Sequence, residues 1–152
     1  MTARCDIDVR FFPPPPELRD CFSTFYRATF TMCEGERVCD RLQPEWANLR
    51  FFSGDVPDAR VSGGSERWLR ARFTATGPSA LSTEFQIGTT RMWGVGLFPL
   101  GWAKFICVPA SRLANAVVDG EAHPAYARFA HLPQILFDGE ADDEREYRKS
   151  VV

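Results

Sequence analysis

The sequence predicts an α+β domain, a β-rich barrel or sandwich followed by short C-terminal helices. Three observations carry this. Aromatic residues make up 13% of the 152 positions, led by 13 Phe and 4 Trp, a load that suits strands whose large side chains fill an interior. Alternation at period two recurs between Phe22 and Phe98. Beyond Pro99 the pattern changes to short helical turns punctuated by Pro109, Gly120, Pro124 and Pro133. Strands first and helices afterwards indicate segregated parts of one domain. Hydrophobic residues at 45% and charged residues at 25% are enough for a packed core in a chain of this length.

Residues 1–20 read as a proline-rich N-terminal arm. Pro13 to Pro16 forbid regular structure and favour an extended polyproline segment, strapped to the surface by Phe11 and Phe12. Residues 21–120 form the β-rich part. Phe22, Thr24, Tyr26, Ala28 and Phe30 share one face of a strand. Glu34-Gly35 marks a turn between strands. Trp46, Asn48, Arg50 and Phe52 alternate with Ala47, Leu49 and Phe51, so large groups stand on both faces and the strand is central. In "WLRARFTATG", Leu69, Ala71, Phe73 and Ala75 point inward, and Arg70, Arg72 and Thr74 outward. "STEFQIG" is a short strand closed by Gly88. Met92 to Phe98 is a buried strand in which Gly94 and Gly96 mark the close approach of another backbone or a ligand. Gly101 to Cys107 suits a short helix. Pro109 opens another, with Leu113, Ala116 and Val117 as its apolar stripe and Gly120 at its end. Residues 121–152 read as a helical extension: Pro124 starts a helix, Pro133 bends or breaks it, and residues 140–152 begin a further one.

Charge and motifs narrow the function. A net charge of -2 and a pI near 5.7 give no basic face for nucleic acid. No run approaches the roughly 20 apolar residues that span a bilayer, and "MTARCDIDVR" lacks the apolar core of a signal peptide, so a cytoplasmic address without membrane contact is expected. Five cysteines without a CxxC read as free thiols; Cys33 and Cys39 flank the turn at Glu34-Gly35, and the alternative is that they pair across a hairpin there. His123 and His131 have neither metal-ligand spacing nor a carboxylate partner, so no metal or other cofactor is expected. No nucleophile, phosphate-loop or dinucleotide motif is present, which argues against an enzyme. Aromatic and polar side chains on strands remain: Tyr26, Trp46, Asn48, Arg50, Phe52 and Trp93 are the candidate ligand-binding set, because a mostly apolar pocket with a few polar groups is how small molecules are held.

One resemblance organises these features. Gly77, Pro78, Gly94, Val95, Gly96, Leu97, Pro99 and Gly101, followed by Val108, Pro109, Ala110, Leu113, Val117, Val118 and Asp119, stand in the order found in a branch of AraC-type transcriptional regulators. "PELRDCFSTFYR" and "PEWANLRFFSGD" extend the likeness upstream, so that it covers most of residues 11–120. The chain resembles the N-terminal sensing and dimerising domain of that family. It departs from the pattern at Leu100-Gly101-Trp102, where the family commonly has Gly-Gly after the strand's proline. The resemblance implies a cupin-like barrel or sandwich that binds an unknown small-molecule effector and pairs as a homodimer. It also implies DNA contact only through a C-terminal helix-turn-helix domain that this chain does not carry, with residues 140–152 leading towards it. Gly94 and Gly96 would then let the helices after Pro99 press against the strands. Two other readings are a cupin-like small-molecule enzyme and a ligand-free structural dimerisation module.

Overall fold

The computed structural model describes residues 5–63 and 67–138; the segment read above as the start of a further helix lies outside them. Among the described residues, strands form two antiparallel sheets. The larger sheet runs, in spatial order, β1 (Asp6–Phe12), β2 (Phe22–Thr31), β9 (Thr90–Leu97), β4 (Asn48–Gly54), β7 (Phe73–Thr76) and β10 (Val117–Asp119). The smaller runs β3 (Val38–Leu42), β8 (Thr83–Ile87), β5 (Asp58–Val61) and β6 (Leu69–Arg70). No strand pairing joins the two sheets among the described residues, so the architecture is an open sandwich and not a closed barrel. Two short helices, α1 (Pro99–Gly101) and α2 (Leu132–Asp138), follow the main strands. None of the described helices is long and apolar enough to cross a membrane.

The larger sheet is covered on both faces. Leu49, Phe51, Phe73, Ala75, Val95 and Leu97 project to one side, into a core closed by Trp102, Ile106, Tyr126, Phe129 and Leu132 of the helical segment. Phe51 and Phe73 stand opposite one another in the β4–β7 register with ring centroids 4.5 Å apart. Full burial of each such ring contributes about 1.5–3 kcal/mol. The opposite side of the sheet faces the smaller sheet, and Ala28, Phe52, Ile87 and Met92 form a second, smaller core there.

Several elements differ from the sequence reading, each for a local reason. Within the segment read as a proline-rich arm strapped to the surface, Asp6–Phe12 is an edge strand, paired residue by residue with β2; the prolines end it, and Pro16–Leu18 makes one 3-10 turn. A bulge between Phe22 and Phe25 turns Phe22 into the helix-side core, so Phe22 does not share a face with Tyr26. Cys33 and Cys39 do not flank a hairpin: β2 and β3 belong to different sheets, and both thiols are free and exposed. "WLRARFTATG" is two strands, because the chain crosses from the smaller to the larger sheet between Arg70 and Phe73; Thr74 is therefore buried between the sheets. Val117–Asp119 continues no helix but adds a strand beside β7. Pro133 does not break a helix; it lies in the first turn of α2, where its missing N–H goes unneeded.

The segment after Pro99 keeps its compactness through backbone contact. α1 opens into a π-helical stretch, Trp102–Ile106, ended by Cys107 in the left-handed region at φ 62°. The Trp102 indole is buried and donates to the Val108 carbonyl at 2.7 Å, which seats the large side chain that follows Leu100-Gly101.

Tyr126 is the polar exception in this core. Its ring meets Phe73 and Trp102 edge-on, and its hydroxyl finds no hydrogen-bond partner among the described residues. Burial raises its pKa well above the ordinary tyrosine value. Removing an unsatisfied buried hydroxyl recovers its desolvation cost, so Tyr126→Phe is expected to stabilise by about 1 kcal/mol, or roughly 2–4 °C in melting temperature. The sign of the pH effect follows. Above about pH 10 the unfolded chain releases the phenol proton while the folded chain keeps it, so the native protein loses stability as pH rises there. Thermal melts from neutral to alkaline pH should show the variant's advantage growing.

Candidate functional site

The cavity between the sheets is built by alternation along β4. Leu49 and Phe51 point to the helix side, so Asn48, Arg50 and Phe52 must point to the smaller sheet. Arg50 and Phe52 line a cavity of about 70 Å³, with Thr74 and Thr76 from β7, Phe85 and Thr83 from β8, and Ala59 from β5. Among the described lining residues Arg50 is the one that carries a charge. Its side chain is 8% exposed.

A bare buried cation would be costly, and the structure supplies its compensation. Arg50 Nη2 donates to Glu45 Oε1 at 2.6 Å. Asn48 Nδ2 donates to the other carboxylate oxygen at 3.3 Å, and Tyr26 Oη donates to Asn48 Oδ1 at 2.6 Å. Tyr26, Asn48, Glu45 and Arg50 thus form one hydrogen-bonded chain at the cavity's edge. Burial pushes the Tyr26 phenol up from its usual range, with Arg50 pulling against it and Glu45 adding to it. Burial also works against the charge on Arg50, but Tyr26 and Glu45 outweigh it and hold the guanidinium protonated.

The two strand glycines make room for this cluster. Register places Tyr26, Gly94 and Arg50 in one row across β2, β9 and β4. A Cβ on Gly94 would overlap the Tyr26 ring, and one on Gly96 would overlap the Ser23 hydroxyl. Both glycines therefore serve the inter-sheet side and not the packing of the helices. The glycine that admits the helical segment is Gly101, whose Cβ would overlap the carbonyl oxygen of Cys21.

No family model matches the chain, and no curated protein matches it. Among solved structures, the crystal structure of the AraC-like transcriptional activator CuxR superposes with a TM-score of 0.44 at 13% identity, over 95% of this chain. The chain spans 59% of the length of that protein.

Of the six candidate residues, the structure brings four together. Arg50 and Phe52 line the cavity, and Tyr26 and Asn48 join Arg50 through Glu45. Trp46 is 58% exposed, on a surface groove beside Pro44, Pro78 and Asn115. Trp93 is buried on the helix side of the sheet, opposite Phe51 in register and against Phe12. His123 caps the turn at Pro124, its Nδ1 accepting from the Ala125 amide at 3.2 Å. The sequence reading did not place Glu45 in the site, and it took Thr74 for an outward residue. A carboxylate just ahead of a strand with a central arginine was the available signal for the first. For the second it was small threonines, where a solvent face would carry charge.

Proposed function

We propose that this chain is a regulatory domain of the AraC type that binds a small effector between its two sheets and makes no DNA contact of its own. The observation that carries the reading is the buried Arg50 guanidinium in the wall of an otherwise uncharged cavity. The ordered motifs from Gly77 to Asp119 support the family assignment. The lining suits binding: aromatic and aliphatic groups bury a ligand, threonine hydroxyls orient it, and the guanidinium meets its polar end. Glu45 accepts from Nη2 and the Tyr26 hydroxyl lies beside the same guanidinium, whose five donors leave N–H groups for a further acceptor. A small carboxylate with an apolar body is the ligand class.

Size limits the ligand. Pockets that take drug-sized molecules measure about 300–1,000 Å³. At about 70 Å³ this cavity takes a molecule of a few heavy atoms as it stands, and a larger one only by moving the smaller sheet away. A ligand that favours the wider spacing shifts the population between two arrangements of the sandwich, which is the signal.

Thermal shift with a series of monocarboxylates from acetate to benzoate tests the reading. A ligand at a hundredfold excess over its Kd stabilises by about 2.7 kcal/mol, or roughly 5–10 °C for a domain of this size. Ala59→Leu, which fills the cavity, and Arg50→Gln should each abolish the shift. A carboxylate response that survives Ala59→Leu, or no response anywhere in the series, would remove the cavity from the account.

A further inference from the structure

β1 is the edge of the larger sheet, and no described strand pairs with its outer side. It pairs with β2 over all seven residues without a bulge. Its register carries Ile7, Val9 and Phe11 beside Phe30, Ala28 and Tyr26, so these three extend the inter-sheet face of β2 into solvent. They are 52%, 40% and 68% exposed. An unbroken edge bearing an exposed apolar row on one face is a template for another strand; of the devices natural sheets use against this, a proline and a bulge are missing within Asp6–Phe12, and charges stand only on the other face.

We propose that this edge pairs with the same edge of a second copy of the chain, antiparallel about a two-fold axis through Val9, so that one sheet runs through both molecules. The occupant is identified by the self-complementarity of "DIDVRFF". A two-fold axis normal to the sheet pairs residues that share a face. Centred on Val9, it sets Asp8 opposite Arg10 of the second copy, twice, and Ile7 opposite Phe11, twice. Centred one residue earlier it sets Asp8 against Asp8, and one residue later Arg10 against Arg10. Centred on Ile7 it opposes Asp6 and Asp8. Like charges directly opposite destabilise a strand pair, and opposite charges support it. Asp8 and Arg10 already lie 3.8 Å apart within one strand, so the dimer brings two such pairs into one alternating square. The pairing is independent of the cavity and stands whether or not a carboxylate binds there.

Sedimentation velocity over a range of concentrations, with cross-linking, tests it. The chain should dimerise. Asp8→Arg should raise the dimer dissociation constant at least tenfold, and Asp8→Arg/Arg10→Asp, which reverses both charges, should restore it. In antiparallel pairs opposed Cα atoms lie about 4.5 or 5.5 Å apart, both within disulfide range. Val9→Cys, in a background where Cys5, Cys33, Cys39 and Cys107 are replaced by Ser, should therefore form an intermolecular disulfide on mild oxidation, and Asp8→Cys in that background should not. The cross-link stands as a readout even if a charge variant folds poorly. A chain that stays monomeric at every concentration overturns the proposal. So does a dimer indifferent to Asp8→Arg whose Val9→Cys form does not link, since such a dimer uses another face.

Discussion

Gly101→Ala is expected to destabilise the protein by about 3 kcal/mol or more, lowering its melting temperature by roughly 6–12 °C. The sign is informative because local propensity predicts the reverse. Gly101 has helical dihedrals, φ -63° and ψ -41°, and alanine in place of glycine within a helix usually gains about 1 kcal/mol. Tertiary contact decides otherwise. The Cβ of alanine would overlap the Cys21 carbonyl oxygen, a backbone atom that already accepts from the Phe98 amide at 2.9 Å. That hydrogen bond ties the end of β9 to the segment before β2, so the carbonyl has nowhere to swing. Relief requires the Pro99–Ile106 segment to lift from the sheet, which withdraws Trp102 and Ile106 from the core beneath. Calorimetric or fluorescence melts of the single variant measure the effect. An unchanged or raised melting temperature would mean that the helical segment is held less closely than its backbone contacts indicate.

The same contrast between local and tertiary information explains what the sequence made legible. Period-two alternation with bulky groups on both sides of Asn48–Gly54 identified a central strand, and β4 lies between β9 and β7. The order of strands before helices gave the α+β class. Alternation also grouped Asn48, Arg50 and Phe52 on one face. It could not say which layer that face meets, because both faces of the larger sheet are buried. Trp93 shows the limit: its assignment to the Arg50 side needed the register of β9 against β4, and that register sets it opposite Phe51 instead. The break between Arg70 and Phe73 was invisible for a related reason, since the alternation runs on unbroken while the chain changes sheets. Val117–Asp119 is too short for any period to register; its neighbour Asn115, with φ 55°, ends the preceding turn and turns the chain back towards β7. Gly94 and Gly96 announced a close approach correctly, but only the fold shows that Tyr26 and Ser23, and not the helices, are what approach.

Gly94→Ala is the second large effect, and its partner can be named. The Tyr26 ring lies across Gly94 to reach Asn48, its hydroxyl donating at 2.6 Å. A methyl group at residue 94 would occupy the place of the ring, so the ring must leave, and the hydrogen bond to Asn48 goes with it. Asn48 then holds Glu45 less firmly, and Glu45 is the counter-charge of Arg50. We expect Gly94→Ala to cost about 2–3 kcal/mol, although alanine otherwise suits a strand interior better than glycine by roughly 0.5–1 kcal/mol. Tyr26→Ala alone should also destabilise, through the lost ring and the lost donor. In the double variant the methyl enters the space the ring vacates, so the two losses should fall short of their sum by about 1–2 kcal/mol, within the range seen for side chains in contact. Denaturant melts of the four proteins close the cycle. Strict additivity would show that the glycine and the tyrosine do not share that space, and would detach the Tyr26–Asn48–Glu45 chain from the cavity whose charge it balances.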